Sequence, residues 1–208
     1  MNGISVVGGS GLVGRRLLVE LAGEGSVKAW VRKSTDLPGW VQAVVSGSIP
    51  DPDDGFWQCG ALFVALGTTI AKAGTRERFE AVDHDLVLEC ARRARATGCS
   101  TIGVVSAAGA DRDSRIFYSR VKGRMEDAVQ ALGFDRVAIA RPSLLLGDRA
   151  EFRPGEWFSR VSLGPVRSLV PAAWRPVRDA EVARALVDAV RDPSWSGIRI
   201  LTNAEMVG

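Results

Sequence analysis

The stretch VVGGSGLVGRRLL, residues 6–18, is the most informative part of the sequence. Two valines end a short apolar run, Gly8, Gly11 and Gly14 follow at spacings of three, and an amphipathic run then begins. Glycine weakens strands and helices alike, so glycines at a junction between them indicate a need for bare backbone. The pattern predicts a strand, a glycine loop and a helix whose N-terminus faces an anion such as a pyrophosphate.

The rest of the chain alternates between short β-branched runs and longer helical patterns. Strands are predicted at 4–8, 27–32, 41–47, 59–67, 100–107, 136–142 and 197–203. Helices are predicted at 12–22, 75–97, 115–132 and 179–190. This alternation implies right-handed crossovers and a parallel sheet covered on both faces. We therefore predict an α/β fold with a doubly wound, mostly parallel sheet of the Rossmann type.

Two details of this prediction concern single residues. The helix over 75–97 has Phe79, Val82, Leu86 and Cys90 at helical spacing, so these side chains are expected to face the core. Asp179 is expected to be the N-cap of the helix that follows it.

Residues 148–178 break the alternating pattern, because this segment is rich in Pro, Trp, Arg and Gly. We predict an irregular insertion on the substrate side of a single domain that covers 1–208.

Composition excludes several classes of protein. The chain has 208 residues, is 46% hydrophobic and 25% charged, and has a net charge of +3. These values are typical of a globular domain, and so small an excess of positive charge does not indicate a nucleic-acid partner. The three cysteines and the single histidine have no zinc-site spacing, so no metal is expected. No leader-like or membrane-spanning stretch is recognisable, and a cytoplasmic location is the default expectation.

Each of the three glycines has a separate predicted role, and the residues at the end of the second strand indicate which cofactor binds. Gly8 would permit a sharp turn, Gly11 would let the backbone approach a pyrophosphate, and Gly14 would let the helix press onto the strand. An acid at the end of the second strand would bind the ribose of NAD, but Arg32 and Lys33 stand there instead. Two cations suit the 2′-phosphate of NADP, although solvated surface cations are the alternative.

The only tyrosine, Tyr118, lies four residues before Lys122, so the two share one face of a helix. A lysine one turn away favours proton exchange at the phenol near neutral pH. Ser106 is predicted at a strand end that opens onto the ligand crevice, where its hydroxyl could orient a substrate carbonyl. The three residues in this order predict a catalytic set.

The ordered set GGSGLVG, Ser106 and YSRVK resembles the short-chain dehydrogenase/reductase superfamily. More narrowly, ALGTT, SAAGAD, YSRVKG, FDRVAIARPSLLLGDR and RPGEW resemble its atypical, NADPH-binding members of the Tat-interacting tumour-suppressor group and their bacterial relatives. The resemblance covers about residues 4–190. Many reductases of the superfamily add an asparagine to the set, which is not recognisable here. Asp83 lies on the preceding helix without an assigned role.

The resemblance implies a role for each matching position. The phosphate loop would comprise Gly8, Ser10, Gly11, Leu12 and Val13. Arg32 and Lys33 would meet the 2′-phosphate. Tyr118 and Lys122 would be the catalytic pair and would also contact the cofactor, with Lys122 on the nicotinamide ribose. Leu66, Gly67 and Thr68 would line the ribose and nicotinamide side. Pro142, Ser143 and Leu144 would lie beside the nicotinamide.

Two functions remain open from the sequence. The first is an NADP-dependent oxidoreductase that transfers hydride between NADPH and a small carbonyl substrate. The second is an NADPH-binding regulatory protein that acts through a protein partner without turnover. The Tyr118–Lys122 pair favours the first, because a sensor needs no proton donor beside the nicotinamide. The chain is expected to be a monomer or a homodimer.

Overall fold

The computed structural model describes residues 3–146 and 171–207. Seven parallel strands form the central sheet. They are β1 (Ile4–Val7), β2 (Val27–Val31), β3 (Gln42–Val45), β4 (Ala61–Val64), β5 (Thr101–Val105), β6 (Arg136–Arg141) and β9 (Gly197–Thr202). Their order across the sheet is β3-β2-β1-β4-β5-β6-β9. The predicted doubly wound α/β fold is therefore confirmed, and the large sheet is wholly parallel.

The helices lie on both faces of this sheet. They are α1 (Leu12–Glu20), α2 (Ile70–Ala73), α3 (Arg76–Glu80), α4 (Leu86–Ala96), α5 (Phe117–Gln130), α6 (Asp179–Arg191) and α7 (Asn203–Met206). One buried cluster joins the apolar faces of α1 and α6 to the sheet, and a second joins those of α4 and α5 to the opposite face. Every residue of β1, β4 and β5 is buried, as expected for strands covered on both sides.

The helix predicted over 75–97 is not continuous. A π-helical turn, Ala81–Asp85, separates α3 from α4. A π turn contains one residue more than an α turn, so it shifts the buried face by one position. Phe79 and Cys90 are buried as expected, and Leu86 is partly buried against the second cluster. Val82 is not part of the core, whereas Asp83 and Val87 are buried.

The N-cap prediction is also wrong by one residue. Asp179 is the first residue of α6, and Arg178 is its N-cap. Asp179 is buried, and its carboxylate accepts a hydrogen bond from Arg16 Nε of α1 at 3.2 Å. The side chain thus joins two helices on one face of the sheet.

Most of the predicted irregular segment at 148–178 lies outside the described residues. Its described end contains a 3₁₀ turn (Ala172–Trp174) and a short strand, β8 (Val177–Arg178). This strand pairs in parallel with β7 (Leu145–Leu146), which follows the end of β6. The small two-stranded sheet fixes the chain beside the carboxyl end of the main sheet.

Candidate active site

From β1 the chain continues to β2 and β3 on one side of the sheet, and from β4 it continues to β5 and β6 on the other side. The direction of the connections therefore reverses between β1 and β4. Ligands of open α/β sheets bind in the crevice outside the carboxyl ends of the strands at such a switch point. Gly8 directly follows β1, and the segment 65–69 follows β4. The structure therefore places the glycine loop and the ALGTT stretch on the two sides of one crevice.

Two of the three motif glycines are required by sterics. Gly8 has a φ of +83°, and a Cβ there would lie 2.7 Å from the carbonyl oxygen of Ala65. A Cβ on Gly14 would lie 2.0 Å from the carbonyl oxygen of Gly8, so α1 lies directly on the loop. Gly11 has an ordinary φ of −74°. Its amide donates to the carbonyl of Gly8 at 2.9 Å, and its added Cβ would lie 3.1 Å from that oxygen.

The start of α1 faces the same crevice. Gly11 is the N-cap and supplies no side-chain hydrogen bond to the first turn, which begins with Leu12 and Val13. First-turn amides point out of a helix and carry the positive end of its dipole. No acidic side chain occupies this turn. The loop and helix start are therefore a cradle suited to a pyrophosphate.

Cations surround the end of β2. Arg32 and Lys33 follow this strand and are exposed, and neither makes a side-chain hydrogen bond or ion pair with another described residue. Arg15 extends from α1 towards the same segment, where its Nη2 donates to Thr35 Oγ1 at 3.0 Å. The same guanidinium donates through Nε to the carbonyl of Ser10 at 3.3 Å. Arg15 thereby connects the glycine loop to the segment that carries the other two cations.

A buried ion pair occupies the other side of the crevice. Lys122 Nζ of α5 lies 2.7 Å from Asp83 Oδ1, and the side chains are 4% and 1% exposed. The second carboxylate oxygen, Oδ2, accepts a hydrogen bond from the Thr68 amide at 2.8 Å. Burying two charges is costly unless they are paired and further hydrogen-bonded, and this arrangement meets both conditions. Asp83 thus holds the lysine against the loop that follows β4.

Tyr118 lies one turn before Lys122 on α5 and is half-buried. Its ring packs on Phe79, with ring centres 5.6 Å apart and an interplanar angle of 43°. Its hydroxyl makes no hydrogen bond with a described residue. The ring is therefore fixed by packing. Asp83 pairs with the Lys122 ammonium, so the positive charge of Lys122 is shared between this carboxylate and the phenol.

Ser106 directly follows β5 and is 4% exposed. Its amide donates to the Ala140 carbonyl at 2.8 Å, but its buried hydroxyl oxygen has no hydrogen-bond partner among the described residues. The structure therefore shows no hydrogen bond between Ser106 and Tyr118 or Lys122. Buried polar atoms are usually paired, so an unpaired hydroxyl at this edge is a candidate contact for a ligand.

Close packing holds α5 beside the segment that follows Ser106. A Cβ on Gly123 would lie 2.2 Å from the Arg112 amide nitrogen and 2.3 Å from the Asp111 carbonyl carbon. The Asp111 amide also donates to the carbonyl of Ser119 at 3.1 Å. Sequence reasoning missed this role of Gly123, although a glycine inside a helix was a usable signal.

The segment after β6 is held by a residue near the end of the described chain. Asn203 of α7 is buried, and its Oδ1 accepts from the Ser143 amide at 2.8 Å. Its Nδ2 donates to the carbonyls of Ala172 at 2.8 Å and Arg175 at 2.9 Å. Pro142, Ser143 and Leu144 are thus fixed at the carboxyl edge. No sequence motif marks Asn203.

An arginine immediately before this segment is also fixed. Arg141 Nη2 lies 2.5 Å from Glu126 Oε2 of α5, whose side chain is 2% exposed. Hydrogen bonding to this carboxylate raises the pKa of Arg141, so the guanidinium remains charged. The contact joins α5 to the end of β6.

Two features are absent from the described parts of the chain. Within 3–146 and 171–207, no group of three or more His, Cys, Asp or Glu residues could hold a metal ion. No described helix is both long and apolar enough to cross a bilayer.

Comparison with known proteins places the chain among close relatives. No protein-family model matches it. The mitochondrial protein fmp52 of Emericella nidulans is 34% identical over 213 residues, which cover 91% of this chain and 87% of that protein. HTATIP2 of Rattus norvegicus is 40% identical over 144 residues, 68% of this chain and 57% of that protein. The solved structure of MoeE5 in complex with UDP-glucose and NAD has a TM-score of 0.71 at 16% identity, and it matches over 96% of this chain and 76% of that one.

These findings, with the geometry above, define the class: the chain belongs to the atypical short-chain dehydrogenase/reductase family and has its NAD(P)-binding, Rossmann-type fold. Within that class its relatives are the Fmp52 and HTATIP2 proteins. The resemblance stated from sequence motifs is confirmed.

The expectation of a cytoplasmic location is contradicted. The fmp52 protein of Emericella nidulans is named mitochondrial, and so are further Fmp52 relatives. The expectation rested on a missing leader-like pattern and on unpaired cysteines. Reduced thiols indicate a reducing environment and do not distinguish one such compartment from another.

Proposed function

We propose that the chain is an NADP-dependent oxidoreductase that transfers hydride between NADPH and a small carbonyl substrate. The observation that carries this proposal is the assembly of Lys122, Asp83 and Thr68 at the end of β4, with Tyr118 one helical turn away. A fixed ammonium beside a tyrosine, at a dinucleotide-binding edge, suits proton transfer to a carbonyl oxygen.

The residues present fit a nicotinamide dinucleotide. Gly8 and Gly14 leave no space for a side chain, and the uncapped start of α1 offers amides to a pyrophosphate. Ser10, Gly11, Leu12 and Val13 complete this cradle in the proposal. Leu66, Gly67 and Thr68 are assigned to the ribose and nicotinamide side, with Pro142, Ser143 and Leu144 opposite. When bound, the cofactor supplies the hydride.

Each member of the proposed catalytic set has a separate task. The unpaired hydroxyl of Ser106 donates a hydrogen bond to the substrate carbonyl oxygen and orients the carbonyl. Tyr118 gives its phenolic proton to the oxygen as negative charge develops there. Lys122, one helical turn after Tyr118, binds the nicotinamide ribose. Asp83 keeps the lysine in place through the 2.7 Å contact.

The preference for NADP rests on charge at the end of β2. Arg32 and Lys33 are unpaired within the described chain, and no carboxylate occupies the strand end. A carboxylate there would bind a ribose hydroxyl and repel a 2′-phosphate, whereas cations favour the phosphate. Arg15 adds a third positive charge nearby.

Titration with NADPH and NADH, followed by nicotinamide fluorescence, tests the cofactor assignment. We expect tighter binding of NADPH. Arg32→Asp should weaken NADPH binding by at least about tenfold, because it removes a charge-assisted hydrogen bond of roughly 1.5–3 kcal/mol. NADH binding should not weaken, because a carboxylate at this position can bind a ribose hydroxyl. Arg92→Asp makes the same charge change on an exposed residue of α4 and is the matched control. Equal affinities for the two cofactors in the wild type would refute the assignment.

Tyr118→Phe tests the reaction. The substitution keeps the ring that packs on Phe79 and removes only the transferable proton. A panel of small aldehydes, ketones and quinones first identifies a carbonyl that the wild type reduces with NADPH. The variant should then lose roughly 10²–10⁴-fold in kcat, with NADPH affinity unchanged. Wild-type turnover by the variant would exclude Tyr118 as the acid. Tight NADPH binding without reduction of any compound would favour the regulatory alternative.

A further inference from the structure

Two thiols meet at the amino ends of β4 and β5, the edge of the sheet opposite the crevice. Cys59 Sγ and Cys99 Sγ lie 3.7 Å apart, and both residues are buried. The strand register pairs Ala61 with Thr101, so counting back two residues in each strand brings Cys59 level with Cys99. Neighbouring strands lie about 4.8 Å apart, which is within the Cα spacing of about 4.4–6.8 Å that disulfides adopt.

The two thiols differ in chemical character. The hydrogen-bond contact with Cys99 lowers the pKa of Cys59 below its ordinary value, and the positive charge of Lys28 acts in the same direction. The same contact and burial raise the pKa of Cys99. In the neutral pair, Cys59 Sγ donates to Cys99 Sγ, and Cys99 Sγ donates to the Thr101 carbonyl at 3.3 Å. Cys59 is therefore the thiol that ionises first, and thiolates are the reactive form of cysteine.

The exposure of the two thiols differs as well, and Cys59 is again the one favoured to react first. Cys59 lines an open surface groove of about 530 Å³, together with residues that include Gln58, Gly60 and Thr97. Cys59 is 8% exposed, whereas Cys99 is fully buried behind it. Cys59 is thus the thiol nearer to the groove, and Cys99 is in position to react with an oxidised Cys59. Reactive, accessible cysteines next to a second thiol are the usual arrangement of redox-sensitive pairs.

We propose that Cys59 and Cys99 form a peroxide-reactive dithiol that closes to an intramolecular disulfide. The Cys59 thiolate attacks one oxygen of hydrogen peroxide, the O–O bond breaks, and a sulfenic acid forms while the departing hydroxide takes up a proton to become water. Cys99 then attacks the Cys59 sulfur, the S–O bond breaks, and a second water leaves with the Cys99 proton. In total two thiols lose two electrons and two protons, and one peroxide is reduced to two waters.

Cys90 provides an internal control. It is fully buried within α4, and the structure gives it no thiol partner among the described residues. Burial raises the pKa of its thiol to about 12. It should therefore remain reduced under conditions that oxidise Cys59.

The test is intact-mass measurement and non-reducing peptide mapping of the folded protein after treatment with hydrogen peroxide. We expect the loss of two hydrogen atoms, one cross-link between the peptides that contain Cys59 and Cys99, and an unmodified Cys90. Dithiothreitol should restore the original mass. Cys59→Ser and Cys99→Ser should each abolish the cross-link, while the matched control Cys90→Ser should retain it.

Several results would overturn the proposal. These are resistance of Cys59 to peroxide, over-oxidation of Cys59 with Cys99 still free, a cross-link that includes Cys90, or a cross-link between two copies of the chain. Cooperative thermal unfolding of each reduced variant verifies that it is folded, and the wild-type peptide map decides the question if a variant does not fold. None of these readouts uses the cofactor, so the outcome is independent of the proposed oxidoreductase activity.

Discussion

Asp83 is the residue on which the geometry of the candidate active site depends. Its carboxylate uses one oxygen for the Lys122 ammonium and the other for the Thr68 amide. It therefore links α5, the π turn and the loop after β4 through a single side chain. The sequence has no recognisable counterpart of the asparagine that many reductases of the superfamily add to the catalytic residues. In the structure, the charged carboxylate of Asp83 neutralises Lys122.

Asp83→Asn should destabilise the protein. The amide keeps the shape of the carboxylate but leaves the Lys122 ammonium buried without a counter-charge, which costs about 3–5 kcal/mol. Denaturant unfolding at neutral pH measures this loss. Adding Lys122→Met to the variant removes the unpaired charge and should recover much of the stability. A single variant within about 0.5 kcal/mol of the wild type would show that the pair contributes little to folding.

The position of Asp83 could not be obtained from the sequence. Asp83 follows Phe79 by four residues, so helical spacing allows it on the buried face, but an apolar pattern selects Val82 and Leu86 for the core and passes over a carboxylate. Tyr118, Lys122 and Ser106 could be predicted from the sequence because the helical spacing of the first two and the strand end at Ser106 are visible in it. Their catalytic roles stay predictions, as do those of the proposed cofactor residues.

At the scale of elements, glycine determines how closely α1 and α5 approach their neighbours. Gly14 lets α1 lie on the backbone of Gly8, which the G-x-x-G-x-x-G pattern predicted. Gly123 lets α5 lie on the backbone of Asp111 and Arg112, which nothing in the pattern predicted. The difference is physical. The first approach is local in sequence, whereas the second requires knowledge of how the segment after β5 folds back.

Gly123→Ala should destabilise the protein by roughly 1–3 kcal/mol, the usual cost of forcing extra atoms into a packed site. Alanine favours helix by about 1 kcal/mol over glycine, so any observed loss understates the clash. Gly47→Ala is the control, because a Cβ at Gly47 meets nothing within 4 Å. The free energy of unfolding from denaturant titration is the measurement. A Gly123→Ala protein more stable than the wild type would mean that α5 can move away at little cost.

At the scale of the whole molecule, the parallel sheet separates two chemistries. Every main-sheet strand runs in the same direction, so the glycine loop, Ser106 and Pro142 meet at the carboxyl edge. Cys59 and Cys99 lie at the amino edge. The parallel, doubly wound arrangement followed from the sequence because alternating strands and helices restrict the topology. Single-domain organisation over 1–208 and the oligomeric state stay predictions.

Asn203→Ala tests how the end of the described chain supports the crevice. The substitution removes three hydrogen bonds that hold the segments at Ser143, Ala172 and Arg175. The loss of these part-buried hydrogen bonds should cost about 1–3 kcal/mol and accelerate hydrogen exchange at the Ser143 amide, while the Arg175 carbonyl keeps the Ser143 hydroxyl as a donor. Asn203→Asp serves as the comparison, because it keeps the acceptor that protects the Ser143 amide but has no N–H to donate to the two carbonyls. Unchanged exchange in the alanine variant would show that Asn203 does not hold the segment.

The π turn at Ala81–Asp85 also has a consequence for the comparison of homologous chains. Each residue of a regular helix advances by about 100°, so deleting one residue from this turn would restore regular helix and rotate α3 and α4 by about 100° relative to each other, which would disrupt the contact between Asp83 and Lys122. A homologue that is one residue shorter here would bury an unpaired lysine unless it had also changed that position. The number of residues in this turn and the residue type at position 122 should therefore vary together among homologues. A one-residue gap at this turn in an alignment would mark homologues in which the site has changed.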